Sequence, residues 1–358
     1  MRVQGRALVG GLGVKPPALL PWVEPLALTD GAAAAAAVSA GVALPLAGGP
    51  LAFSLVRLIG DGRIVPIDRV PAAYAEALAM VSRRPPEWAG LGPQRPLVMA
   101  VLNVTPDSFS DAGDFSDPAR AIEAGVAMAT AGADVVDIGG ESVRPGAQPT
   151  APEMERARVV PVIRALAAQG VAVSVDTRNA ATMAAALDAG ARIVNDVSAL
   201  AYDPAAMALI AQRGCPVVLM HMRHDPATMT ALARYEDVAL EVTRELAARV
   251  AEAEAAGIAR ARIAVDPGVG FAKTPDHNLA LLPRLAVSLN LGCPMVVGVS
   301  RKRFIGLLSG ERTARRRGPG SIAAGLHAAL HGAAVLRVHD VDETVQAVRV
   351  WRGLIGLG

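Results

Sequence analysis

From residue 96 onward the chain keeps returning to one phrase. Short apolar runs fall at about 97–102, 133–138, 171–175, 192–194, 216–220, 262–265, 294–299 and 334–338, with helical patterns between them. Several runs are introduced alike, as in "AGADVVDIG", "AGARIVND" and "HGAAVLRVH". A glycine that ends a helix, followed by β-branched residues, is the turn from helix into strand. The stretch 235–256 is the clearest helix, because Val238, Val242, Leu246 and Val250 recur every four residues and Gly257 stops it. The runs are continuous rather than alternating, as in strands buried on both faces. Eight such strands, the last followed by a helix over 341–355, predict a (β/α)8 barrel. An open doubly wound sheet is the alternative; the count of eight and a polar residue at every strand end favour the barrel.

The chain has 358 residues, more than the repeat needs, and residues 1–95 read as an extension before a barrel over 96–358. The extension holds an alanine run, many prolines and a helical piece near 71–82. It also holds "PLAFSLVRLIGDGRIVPI", which predicts a β-hairpin turning at Gly60-Asp61-Gly62. No residue in it looks chemical, so its expected role is structural, with the hairpin under the barrel's bottom. Residues 31–56 carry no charge before the hairpin's Arg57, which invites a membrane reading. That stretch is mostly alanine and glycine and is broken by Pro45 and Pro50, whereas a spanning helix needs about 20 strongly apolar residues. The expectation is a cytoplasmic protein with no membrane partner. A net charge of +2 gives no electrostatic case for nucleic acid. Two cysteines, Cys215 and Cys293, are too few for a disulfide framework or a thiolate metal site.

In a barrel of this kind the working face is the C-terminal ends of the strands. Those ends supply Asn103, then "DIGGESVRPG" from Asp137 to Gly146, then Asp176 and Asn195-Asp196. The later four supply Met220-His221, Asp266-Pro267-Gly268, Ser300-Arg301-Lys302 and Arg337 to Asp340. Helix capping explains any one Asp, Asn or Ser in such a place. It does not explain Lys302, Arg337 and His339, nor the glycine-rich loop ending in Arg144 and Pro145. Arg144, Lys302, Arg337 and His339 could gather around an anion, and Asn103 and Asp111 offer hard oxygens for Mg2+. That set suits a phosphate or diphosphate leaving group. Asp176, Asn195 and Asp266 form an acceptor-rich group that pairs with a planar, guanidine-like donor edge. No Ser/His/Asp triad order, activated thiol or HExxH pattern stands out.

These residues resemble the dihydropteroate synthase family of pterin-binding barrels over roughly 97–355. "NVTPDSFSD" and "GGESVRPG" match the two signature loops, and "SVDT", "VND", "VLMHM", "DPGVGFAK", "GVSRKRFIG" and "LRVHDV" follow in family order. The resemblance implies condensation of a dihydropterin-methyl diphosphate with p-aminobenzoate, Mg2+ as cofactor and a homodimer. It implies that Asn103 holds the metal with Asp111, and that Phe109, Pro145 and Ser300 line the aminobenzoate site. Asp176, Asn195, Asp266 and Lys302 would bind the pterin, with Met220 and Phe271 packing on it. Arg144, Arg337 and His339 would take the diphosphate with Asn103 and position 143, while Lys302, Arg144 and Asp111 would act in the chemistry. Three residues depart from the family pattern. Val143 stands where the family has Thr, and Ala112 and Ala272 where it has Gly. The alternatives are a pterin-binding paralogue with weak or no turnover, favoured by Val143, and a methyltetrahydrofolate methyltransferase-like barrel. The cations at 302, 337 and 339 argue against the second.

Overall fold

The computed structural model describes residues 21–92, 96–105, 117–142, 150–223, 229 and 233–355. The extension begins with strand β1 (Val23–Thr29), helix α1 (Gly31–Ser39) and the short β2 (Leu44–Pro45). Strands β3 (Ala52–Leu58) and β4 (Ile64–Pro66) then pair antiparallel, Leu55 with Pro66 and Arg57 with Ile64. They are joined through Gly60 and Gly62, both at positive φ, so the hairpin turns where the sequence placed it. On its other edge β3 takes β1, Val23 opposite Leu58, to complete a four-stranded sheet. Strand β1 escaped the sequence reading because its pattern is short and interrupted by Pro25. Helix α2 (Ala75–Ser82) ends the extension.

Eight parallel strands follow and close into a barrel. They are β5 (Leu97–Asn103), β6 (Val135–Gly139), β7 (Val173–Asp176), β8 (Ile193–Asp196), β9 (Val217–Met220), β10 (Ile263–Asp266), β11 (Met295–Val297) and β12 (Ala333–Val338). The outer layer is α3 (Pro118–Ala131), α4 (Pro152–Ala168), α5 (Ala180–Asp188), α6 (Ala206–Arg213), α7 (Val238–Ala255), α8 (Pro275–Leu281), α9 (Arg303–Ser309), α10 (Gly318–Leu330) and α11 (Val341–Leu354). A 3-10 segment, Leu282–Leu291, continues α8. The start of α7 is set by Asp237, whose carboxylate accepts the Leu240 N–H at 3.0 Å.

Alternate strand residues face opposite ways, so the strands carry two cores. Val98, Ala100, Val136 and Ile138 face the helices. Met99, Val135, Ile193, Val218, Ala264, Val296 and Val335 fill the barrel's lower interior together with Trp88. Trp88 is 3% exposed and its indole N–H donates to the Arg262 carbonyl at 3.0 Å. The bottom is therefore sealed by the connector's tryptophan. The extension packs its strand β1 and its helix α2 on the 3-10 segment of the outer layer. Glu24 of β1 ties it there through Arg284 at 2.6 and 3.0 Å, and Asn290 exchanges hydrogen bonds with the Val23 backbone at 3.1 and 2.8 Å.

Candidate functional site

At the opposite end the strand termini surround a cavity of about 500 Å³. Asn103, Asp176, Asn195, Met220 and Asp266 reach it directly from the ends of β5 and β7–β10. Phe271 comes from the turn after β10, Ser300 and Lys302 from the turn after β11, and Arg337 and His339 from β12 and just beyond. Ten of the residues singled out in the sequence thus share one space. Asp111, Phe109, Val143, Arg144 and Pro145 lie outside the described residues.

The floor is acidic. Arg337 donates through Nε to Asp137 Oδ2 at 2.7 Å and through Nη2 to Asp176 Oδ2 at 2.6 Å. Asn195 Nδ2 donates to the same Asp137 oxygen at 2.9 Å. Asp137 Oδ1 and Asp176 Oδ1 are buried without a hydrogen-bond partner among the described residues. A buried acceptor left open in this way is a demand for a donor, and a ligand can supply it. Burial pushes the Asp176 carboxyl up to about 7 against the pull of Arg337, and the nearby Asp137 adds to the rise. Burial also raises Asp266, with Lys302 opposing. Asp266 Oδ1 accepts the Gly268 N–H at 2.7 Å.

Lys302 stands above this floor. Its ammonium donates to the Val269 carbonyl and lies 4.9 Å from the centre of the Phe271 ring. Burial lowers its pKa to about 8, with Asp266 opposing. Beside it, Ser300 Oγ accepts the His339 backbone N–H at 3.1 Å and lies 3.0 Å from His339 Nδ1. Ser300, Arg301 and Lys302 all line the cavity, and Arg301 adopts φ 57°, in the left-handed region. Its guanidinium pairs with Asp340 at 2.5 Å.

Sequence reasoning missed several contributors. Asp137 was quoted only as part of a loop, yet it is a lone charge in the apolar run "VVDIG" and anchors both Arg337 and Asn195. That lone charge was the available signal. Glu141 lines the cavity and forms a buried two-pronged pair with Arg178, both bonds 3.0 Å, while accepting the Thr150 N–H at 2.9 Å. Lys273, the last residue of "DPGVGFAK", lines the cavity and is 5% exposed.

Among the described residues no group of three or more His, Cys, Asp or Glu could hold a metal ion. Mg2+ bound with a phosphorylated substrate does not need one, since it keeps waters and takes one or two protein oxygens. Asn103 Oδ1 fits that role. It lies beside Gly139, where an added Cβ would stand 3.5 Å from it and 3.8 Å from Asp176 Oδ2, so the missing side chain leaves the oxygen accessible from the cavity.

Residues 99–339 match the family model described as pterin binding enzyme, so the barrel and its acceptor-lined cavity define a pterin-binding enzyme. A dihydropteroate synthase of Mycobacterium leprae is 49% identical over 71% of this chain and 91% of its own length. That of Escherichia coli is 44% identical over 71% and 90%. Among solved structures, the Xanthomonas albilineans dihydropteroate synthase with 4-aminobenzoic acid superposes with a TM-score of 0.69 at 46% identity, over 74% of this chain and 94% of that one. A Yersinia pestis dihydropteroate synthase with a sulfonamide drug complex gives 0.72 at 41% identity, over 74% and 96%. The chain belongs to the dihydropteroate synthases, transferases of folate biosynthesis.

Proposed function

We propose that this chain condenses (7,8-dihydropterin-6-yl)methyl diphosphate with p-aminobenzoate to 7,8-dihydropteroate and pyrophosphate. The observation that carries the reading is the convergence of Asp176, Asn195 and Asp266 beneath Lys302 in one cavity. Carboxylate and amide oxygens there meet the donor edge of a pterin, and Met220 and Phe271 supply apolar faces. Structures of the Xanthomonas albilineans relative with 4-aminobenzoic acid and with 7,8-dihydropteroate support the same pair of ligands.

In the reaction the carbon–oxygen bond to the diphosphate breaks, the carbon–nitrogen bond to the arylamine forms, and the amine proton passes to solvent. The arylamine is already neutral, so it needs orientation rather than a general base. That task falls to Phe109, Pro145 and Ser300. Lys302, Arg144 and His339 stabilise the departing charge. Arg337 orients Asp176 through Nη2, and its guanidinium keeps N–H donors beyond its two carboxylate pairs with which to meet the diphosphate. Asn103 with Asp111 would hold Mg2+, which would supply positive charge toward the leaving group. The same reading has the chain working in the cytoplasm and, on the strength of its family, as a homodimer.

The test is incubation of the purified chain with both substrates and Mg2+, following pyrophosphate. Release that requires p-aminobenzoate is expected, and Asp266→Ala should weaken pterin binding by about 2–4 kcal/mol. Pterin binding without pyrophosphate release would instead make the chain a pterin-binding relative without turnover.

A further inference from the structure

The turn from Asp266 to Lys273 carries two pterin-pocket residues and is held in an uncommon shape. Gly268 has φ +65°, and a Cβ there would lie 2.0 Å from the His221 carbonyl oxygen, so only glycine fits. Ala272 has φ 47°, left-handed for a residue that has a side chain, and is 1% exposed. Such conformations persist only where the surroundings over-determine them. One group does so from inside. Lys273 Nζ lies 3.0 Å from the Gly268 carbonyl, 3.1 Å from the Phe271 carbonyl and 3.0 Å from His221 Nδ1.

An ammonium has three N–H donors, and here three acceptors meet it. None is left over for a substrate, although the residue lines the cavity. Because Nδ1 accepts, the His221 proton resides on Nε2, which donates to Glu245 Oε2 at 3.0 Å. Glu245 is gripped in turn by Arg223 Nε at 3.0 and 3.1 Å. Burial holds His221 neutral by lowering its pKa to about 4, with Lys273 adding to that. Burial likewise lowers the Lys273 ammonium to about 7, opposed by Asp266.

We infer that Lys273 is a positioning residue for pterin recognition, a brace that holds the Asp266 carboxylate and the Phe271 ring at the pocket through the chain Glu245–His221–Lys273. The inference rests on the pterin-pocket reading above. It assigns to His221 a chemical task, accepting from Lys273, beyond filling space.

Calorimetry at pH 6, where Lys273 carries its full complement of protons, with dihydropterin-methyl diphosphate and Mg2+ and without aminobenzoate, tests it. Lys273→Met is expected to raise Kd roughly tenfold, the scale for buried acceptors left unpaired. The KM for p-aminobenzoate at saturating pterin substrate should move less than about twofold, since the brace acts on the pterin side. His221 provides the decisive contrast. His221→Asn keeps an acceptor where Nδ1 stood and should retain most of the affinity, while His221→Leu fills more volume and should lose it as Lys273→Met does. A packing role for His221 predicts the reverse order, and that order, or an unchanged Kd in folded Lys273→Met, overturns the proposal. If Lys273→Met does not fold, the Asn and Leu pair decides alone. Asp266→Ala separates the two levels, because normal pterin binding in that variant removes the pocket reading itself.

Discussion

Replacing Arg337 with Met should cost about 3–5 kcal/mol of folding stability at pH 8, and clearly less at pH 5. The guanidinium bridges Asp137, whose side chain is 0% exposed, and Asp176, at 11%. Removing one partner of a buried pair leaves an uncompensated charge, which sets that scale. In the variant Asn195 Nδ2 remains as a single neutral donor to Asp137. The pH dependence follows from Asp176. Its carboxyl already sits near about 7, raised by burial while Arg337 opposes, so losing the arginine moves it further up. A group whose pKa is higher folded than unfolded binds its proton more tightly in the fold. Its stability contribution is therefore present at low pH and lost as pH rises through the folded value. Each added unit of rise favours the variant by up to about 1.4 kcal/mol on going to pH 5. Urea denaturation of both proteins at pH 5 and 8, followed by circular dichroism, measures the difference directly. Asp137→Asn in the variant background should recover part of the loss at pH 8. A penalty below about 1 kcal/mol at pH 8, or one that grows on acidification, would refute the reasoning.

Three further outcomes are expected. Lys302 is cationic below about 8 and loses its charge above it, so kcat/KM for the pterin substrate should fall as pH rises through 8, and Lys302→Arg should flatten that limb in a pH–rate profile. Val143→Thr should raise the rate a few-fold in saturating Mg2+ by supplying one hydroxyl to a phosphate oxygen, a bond worth about 1.5–3 kcal/mol before water compensates; an equal or slower variant would show that nothing is missing. A chain starting at residue 96 should lose cooperative thermal unfolding, because it gives up Trp88, whose replacement by Ala alone should cost about 3–5 kcal/mol, together with the Glu24–Arg284 pair.

The barrel was legible because the strands are buried on both faces along most of their length and most barrel helices end at a glycine, so the repeat survives in one sequence without any partner information. The cavity's composition was legible for a related reason, since the fold sends every strand end to the same place. Contacts between those ends were not. Arg337 and Asp137 are 200 positions apart, and only the closed strand order makes them neighbours. From the sequence Arg337 reads as a cation waiting for an anion, while in the fold two carboxylates from β6 and β7 already hold it. The extension shows the same limit. Its hairpin followed from local turn chemistry, but an apolar sheet face does not say what will cover it. Glu24 and Asn290, which seat β1 on the outer layer, are 4% and 8% exposed, and although Glu24 is a lone charge in "VEPLALT", no local pattern says that Arg284, 260 positions on, will meet it.

The site's least readable property is how its strain is held. Residues with side chains at positive φ recur in the loops above the barrel, at Ala199 and Leu200 after β8, Ala272 after β10 and Arg301 after β11. Each such residue costs of order 1 kcal/mol, so each needs a grip that outweighs it. The grips come from outside the loops. Arg249 of α7 donates to the Ala199 carbonyl at 3.0 Å, Tyr235 before α7 to the Ala272 carbonyl at 3.0 Å, and Ser321 of α10 accepts the Arg301 N–H at 2.8 Å. The partners lie 50, 37 and 20 positions from the residues they hold. Ala272 in place of the family's glycine is therefore not a gain or loss of loop freedom by itself. It is tolerated because Tyr235 and Lys273 fix the backbone on both sides of it, so the turn keeps its shape without glycine and presents Asp266 and Phe271 to the cavity in one arrangement.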